Sequence, residues 1–122
     1  MLPSETLPVF DQDRLNEAVG SLPPDRAASM VRLVPDEARA RADDLVAAVE
    51  NGDLEAAHRA VHTIKGLAAN FGAERLRAVA LATEAACGSV DALAIALPSL
   101  LDTVTATEIE TQRIVEMLEA RN

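Results

Sequence analysis

The sequence predicts an all-α fold, with an antiparallel up-and-down four-helix bundle core and an N-terminal helical extension. The chain has 122 residues, which fits one domain of ordinary size. Hydrophobic residues make up 49% of it but aromatic residues only 2%, with neither Trp nor Tyr. Because strands favour aromatic and β-branched residues whereas alanine favours helices, this composition predicts helices and excludes a β-sandwich or barrel. Short glycine turns between apolar periodic segments then predict antiparallel helix neighbours.

The N-terminal region is predicted to hold an arm over residues 1–10, followed by the helical domain over residues 11–122. Pro3 and Pro8 make the arm loose, because proline fixes one backbone angle and lacks a donor. Asp11 is a candidate N-cap for a short helix that ends before Pro23.

The second predicted helix begins near Asp25 and ends at Gly52. Pro35 lies inside it and removes the hydrogen bond to the carbonyl of Val31. We therefore expect either a kink or two abutting helices at this point.

The third helix has the clearest periodicity in the chain. Asp53 is its candidate N-cap and Gly72 its C-terminal stop. Its apolar residues recur at spacings of three and four, so they form one continuous stripe. They are Leu54, Ala57, Val61, Ile64, Ala68 and Phe71.

Two further helical regions complete the prediction. One begins near Ala73, ends at Gly88 and faces inward with Leu76, Val79, Ala80 and Thr83. The last begins at Ser89, is broken or kinked at Pro98, and runs to about Leu118.

The charge balance excludes several classes of partner. With 20 acidic against 11 basic residues, the formal net charge is −9, which argues against binding nucleic acid or an anionic membrane surface. We see no signal peptide, and no uninterrupted apolar run approaches the roughly 20 residues of a membrane span. The single Cys87 excludes an internal disulfide and is expected to be a small core residue. These features predict a cytoplasmic protein.

The two histidines of the chain, His58 and His62, both lie on the third helix. At about 100° per residue, His62 lies roughly 130° from the centre of the apolar stripe and faces water, while His58 lies roughly 90° away at its edge. His58 is therefore expected to be packed or weakly solvated. Arg59 and Gly66 share the side of His62, and Lys65 is within reach of it.

The surroundings of His62 favour phosphoryl chemistry with a protein partner. Gly66 inside a helix is unfavourable by about 1 kcal/mol relative to alanine, which suggests that something must approach closely there. An imidazole is a nucleophile towards phosphorus, and a nearby cation stabilises phosphoryl oxygens. An exposed histidine on a rigid helix therefore suits transfer to an acceptor on another protein.

The residues that follow His62 resemble the signature of histidine-containing phosphotransfer (HPt) domains. The family pattern is a histidine, two residues, Lys-Gly, and a second glycine six positions later, often followed by alanine and then leucine. The chain carries this pattern as His62, Lys65, Gly66, Gly72, Ala73 and Leu76. It departs from the family at Leu67, where a small residue is frequent, and at Thr83, where leucine is common.

The resemblance implies a role for each matching residue. His62 matches the phosphorylated histidine, Lys65 the cation beside it, and Gly66 the small residue that admits the partner. Arg59, Gly66, Ala69 and Asn70 are the expected partner-binding residues. Family members also carry a Gln or Glu that orients the imidazole. Antiparallel pairing about Gly72 places His62 opposite residues 82–84, where Glu84 is the acidic side chain.

The implied function is that of a phosphorelay intermediate. The partners would be receiver domains of response regulators or a hybrid sensor histidine kinase, which would supply the aspartate and Mg²⁺. The chain itself is expected to need no cofactor and no metal, and to be a carrier without nucleotide-dependent kinase activity. Two alternatives remain: a helical module that docks a receiver without accepting phosphate, and a bundle that binds metal through His58 and His62, which share the i, i+4 spacing.

Overall fold

The computed structural model describes residues 6–121, and most of them are helical. Within this range there is no strand, so the predicted all-α class is confirmed. The helices are α1 Gln12–Val19, α2 Pro24–Asn51, α3 Leu54–Phe71, α4 Glu74–Ala85 and α5 Val90–Glu119.

The four longer helices form a bundle that closes on itself. α3 packs between α2 and α4, and α5 packs against both α4 and α2. Ion pairs join α2 to α5: Arg39 Nη2 lies 2.7 Å from Glu108 Oε1, and Arg32 Nη2 lies 3.2 Å from Glu119 Oε1. In these pairs the later residue of α2 meets the earlier residue of α5, so the two helices are antiparallel. α1 is not one of the four bundle helices; it packs against α3 and α2, and its Leu15 and Val19 belong to the core.

Helix ends lie where the sequence places caps. The Asp11 carboxylate accepts from the backbone N–H groups of Asp13 and Arg14, and the Asp53 carboxylate accepts from that of Ala56. These bonds satisfy donors that a helix N-terminus leaves free. Gly52 and Gly72 end α2 and α3 with φ angles of 67° and 70°, the left-handed conformation that glycine adopts without strain.

The apolar stripe predicted for α3 faces the core. Leu54 is partly buried and packs against the core, and the other five members are buried. The inward residues predicted for α4 (Leu76, Val79, Ala80 and Thr83) are all buried as well. The stripe therefore sets which side of α3 is left for solvent.

Neither internal proline divides its helix. α2 continues through Pro35 and α5 through Pro98, so the predicted alternatives of two abutting helices and of a broken last helix are wrong. Proline removes one hydrogen bond of the helix. α2 and α5 are 28 and 30 residues long and pack along each other, so the remaining bonds and contacts hold each helix in register.

The second half of the N-terminal arm is packed rather than loose. Phe10 is only 7% exposed and belongs to the core. The carbonyl of Leu7 accepts two hydrogen bonds from the Arg75 guanidinium, at 2.9 and 2.7 Å. Pro3 lies outside the described residues, so the prediction of a loose arm is corrected only for residues 7–10.

α5 is an exception to the expectation that no segment is long and apolar enough to span a membrane. Among residues 6–121 it is the one helix long and apolar enough to do so by length and composition, with a mean hydropathy of 1.3 in its most apolar window. α5 packs against α2 and α4, and 28% of that window is buried.

Candidate functional site

His62 lies on the solvent side of α3, with 66% of its side chain exposed. Its neighbours Val61 and Ile64 belong to the buried stripe, so packing of that stripe determines the direction of the imidazole. α4 runs back along α3 after the turn at Gly72 and Ala73 and brings its last turn beside His62.

The carboxylate of Glu84 on α4 connects two of the predicted site residues. Its Oε2 lies 3.2 Å from Nδ1 of His62, and its Oε1 accepts a hydrogen bond of 2.6 Å from Nζ of Lys65. Only 18% of the Glu84 side chain is exposed. Each carboxylate oxygen therefore has a partner on α3.

Hydrogen bonds keep Glu84 ionised. The bond from Lys65 lowers the pKa of Glu84 most, and the contact with His62 lowers it further. Desolvation of the carboxylate opposes this shift but does not cancel it. An ionised carboxylate only accepts hydrogen bonds, so the His62 nitrogen that faces it carries the proton in the neutral imidazole. The lone pair then lies on Nε2, on the other side of the ring.

His58 is a neighbour of this site that the sequence analysis missed. We expected it to be packed or weakly solvated, but 55% of its side chain is exposed, and its Nε2 lies 3.7 Å from Glu84 Oε2. Its ring is nearly parallel to that of His62, with an interplanar angle of 14° and 6.1 Å between centroids. The i, i+4 spacing was the available signal, because it places two side chains one above the other on a helix.

Gly66 is exposed, and packing among residues 6–121 does not require its small size. A Cβ built on it would meet no atom of those residues within 4 Å. Of the other expected partner-binding residues on this turn, Asn70 is exposed and Ala69 is half-buried. The Ala69 carbonyl accepts a hydrogen bond of 3.3 Å from Arg14 Nη2, which ties α1 to the end of α3.

Glu84 forms a cluster with His58, His62 and Lys65, called the Glu84 cluster below. Arg59 is not part of it. Its Nη1 lies 3.5 Å from Glu55 Oε1, one turn earlier on α3. With Thr63, it lines a groove of about 430 Å³ between α2 and α3, on the side of α3 away from α4. The predicted partner-binding residues therefore lie in two places. Gly66, Ala69 and Asn70 lie along the outer side of α3, and Arg59 lines this groove.

Two further features bear on the chemistry of the site: the thiol of Cys87 and the arrangement of possible metal ligands. Cys87 is half-buried, and burial raises the pKa of its thiol, which favours the neutral form. Within the part of the chain that the structure describes, no group of three His, Cys, Asp or Glu side chains is arranged to hold a metal ion.

The family of the chain follows from a match to one protein-family model. No curated protein and no solved structure matched the chain. The model of the Hpt domain family matches residues 29–120, which is about three quarters of the chain and includes His62, Lys65 and Glu84. The chain therefore belongs to the Hpt domain family.

Proposed function

We propose that the chain is a phosphoryl carrier whose His62 takes a phosphoryl group from one receiver domain, or from a hybrid sensor histidine kinase, and passes it to the aspartate of another receiver. Membership of the Hpt family implies involvement in a two-component phosphorelay. The observation that carries the proposal is the 3.2 Å contact between His62 Nδ1 and Glu84 Oε2 on an otherwise exposed imidazole.

The transfer step follows from that contact. Nε2 of His62 attacks the phosphorus of an aspartyl phosphate, in line with the departing oxygen. The Nε2–P bond forms as the P–O bond breaks, and the aspartate carboxylate leaves with the electron pair. The proton on Nδ1 stays in place, where Glu84 accepts its hydrogen bond. Onward transfer is the reverse step, with a second receiver's carboxylate as nucleophile.

Glu84 and Lys65 have separate parts in this proposal. Glu84 holds the ring in the tautomer and orientation that present Nε2 outward. Lys65 supplies positive charge beside the ring, which stabilises phosphoryl oxygens as they arrive. In the unphosphorylated chain the same ammonium bonds Glu84 Oε1 at 2.6 Å, so it also keeps that carboxylate oriented.

The proposed docking surface is the outer, solvent-facing side of α3 around His62. Gly66 leaves room above the helix, and Ala69 and Asn70 extend this surface by one turn. Arg59 extends it towards the groove beside α2. A receiver seated there would bring its own aspartate and Mg²⁺, so the chain needs no cofactor of its own. We place this function in the cytoplasm and assign the chain no kinase activity.

The test is label transfer from phosphorylated receivers to the wild-type chain and to His62→Gln. We expect acid-labile, base-stable label on the wild type and none on His62→Gln, with the helical circular dichroism of both alike because His62 is exposed. His58→Gln keeps His62 and should still take up label, which identifies the modified histidine. Label on His62→Gln would refute the assignment. A wild-type chain that binds receivers but never takes up label would support the alternative of a docking module.

A further inference from the structure

The two cations nearest to His62 in the sequence lie on opposite sides of α3. Lys65 faces α4, where its Nζ bonds Glu84 Oε1 at 2.6 Å. Arg59 lies one turn before His62 and lines the groove between α2 and α3, on the side of α3 away from α4. The transfer step proposed above uses the charge of Lys65 but gives Arg59 no part in the chemistry.

The orientation of the His62 ring decides which side of α3 receives the phosphoryl group. Its Nδ1 faces α4, 3.2 Å from Glu84 Oε2. Nε2 lies across the ring from this contact, so its lone pair points outward and away from α4. Phosphorus must approach along that lone pair, in line with the departing oxygen. The phosphoryl group therefore arrives on the side that carries Arg59, whereas Glu84 holds Lys65 on the other side.

Arg59 can reach a phosphoryl group at this position. Its present partner is Glu55, at 3.5 Å, and the two side chains are 65% and 88% exposed. An ion pair so exposed contributes little to stability, so the guanidinium can leave it at little cost. Residues three apart on a helix have Cβ atoms about 5–6 Å apart, a gap that an arginine side chain spans. The groove of about 430 Å³ beside Arg59 leaves room for the movement.

We propose that Arg59 is a second catalytic residue of the transfer step, whose guanidinium donates hydrogen bonds to the non-bridging oxygens of the phosphoryl group on Nε2 of His62. The inference rests on the proposed function and deepens it. The Nε2–P bond forms and the P–O bond to the aspartate breaks as before, and Arg59 keeps its protons throughout. The planar fork of the guanidinium matches two phosphoryl oxygens. Lys65 adds its charge from the other side of the ring.

The test is single-turnover label transfer from a phosphorylated receiver domain at increasing receiver concentrations. This design separates the rate constant at saturation from the concentration that gives half of it. A charge-assisted hydrogen bond corresponds to a factor of about ten or more in rate, so we expect Arg59→Gln to lower the saturating rate constant about tenfold. Arg59→Lys keeps the positive charge and should recover most of the rate. Because Arg59 is exposed, both variants should keep the helical circular dichroism of the wild type.

Two matched controls separate the contact with phosphate from other effects of the substitution. Glu55→Gln breaks the same ion pair but keeps the cation, so it should transfer at least as fast as the wild type. Arg26→Gln removes the same charge from an exposed position of α2. Arg26 lies 15 residues before Arg41, the first α2 residue of the groove, which is about 22 Å along the helix. Its saturating rate constant should equal that of the wild type.

Three results would overturn the inference. A change confined to the half-saturating receiver concentration in Arg59→Gln would show that Arg59 contacts the receiver and not the phosphoryl group. Slowing of Glu55→Gln to the same extent would assign the effect to the ion pair, and no recovery in Arg59→Lys would exclude a role for the charge. Absence of label on the wild type would refute the proposed function and this inference together. Label at equal saturating rates on the wild type and Arg59→Gln would refute the inference alone.

Discussion

Replacing Gly66 by alanine should raise the free energy of unfolding by about 1 kcal/mol, the difference between the two residues in a helix interior. The structure gives no opposing contribution. Gly66 lies well inside α3, its φ is not positive, and a Cβ there meets no atom of the described residues 6–121 within 4 Å. For a chain of this length, that gain corresponds to a rise in Tm of about 3–5 °C.

Two other glycines supply matched comparisons. Gly52 has the same open space around its Cβ position but a φ of 67°, so Gly52→Ala should destabilise through backbone strain alone. At Gly72 the φ is 70° and a Cβ would lie 2.5 Å from that of Arg14, so Gly72→Ala should destabilise more. Thermal unfolding followed by far-ultraviolet circular dichroism measures all three variants.

Gly66→Leu tests the docking surface. The larger side chain keeps the helix but stands between His62 and an approaching receiver. In-line transfer needs reacting atoms about 3–3.5 Å apart, so a small displacement slows it strongly. We expect stability held or raised and label transfer strongly reduced. A Gly66→Leu protein that is destabilised while its folded fraction transfers normally would refute the reasoning, because Gly66 would then be a packing residue outside the docking surface.

Two further predictions concern the Glu84 cluster. Lys65→Ala should fold normally and transfer more slowly, because it loses the cation beside the ring and the hydrogen bond that most lowers the pKa of Glu84; an unchanged transfer rate would show that Lys65 is only a surface charge. The pKa of Glu84 is lower in the folded state than in the unfolded state. The interactions of its carboxylate therefore stabilise the fold fully at pH values above the unfolded-state pKa, and this stabilisation is lost as the pH falls through the folded-state pKa. The stability difference between wild type and Glu84→Gln, measured by urea unfolding, should therefore shrink as the pH falls below the ordinary pKa of a glutamate, and a constant difference would contradict the role of these hydrogen bonds.

Local signals in the sequence accounted for most of the fold. The helix ends at Asp11, Asp53 and Ser89 were predictable because a side-chain oxygen there satisfies free backbone donors. The buried face of α3 followed from residue spacing alone. These features depend on neighbours within one or two turns, which a sequence displays directly.

Tertiary contacts decided what was not predicted. Pro35 is buried within an intact α2, because packing along α5 outweighs the single hydrogen bond that proline removes. Phe10 lies in the core, and the Arg75 guanidinium of α4 bonds the carbonyl of Leu7, three residues before it. Neither contact leaves a local pattern in the sequence from which it could be predicted.

The candidate site shows the same division. Antiparallel pairing about Gly72 placed Glu84 opposite His62, and the structure has their side chains in contact. That Lys65 bonds the same carboxylate and that His58 faces it depend on side-chain rotamers and on the spacing of two helices. Periodicity gives the face of a helix but not these quantities.

The contacts of α1 bear on where this domain can be cut. The family match begins at residue 29, so α1 lies outside it. Yet the backbone N–H of Asp11 donates to the carbonyl of Gly72 at 2.7 Å, and Leu15 and Val19 lie in the core beside Phe10. A fragment excised at the family boundary would lose α1 and the first five residues of α2, and would uncover the core residues that pack against them. A fragment that is meant to keep these contacts should therefore start before residue 10.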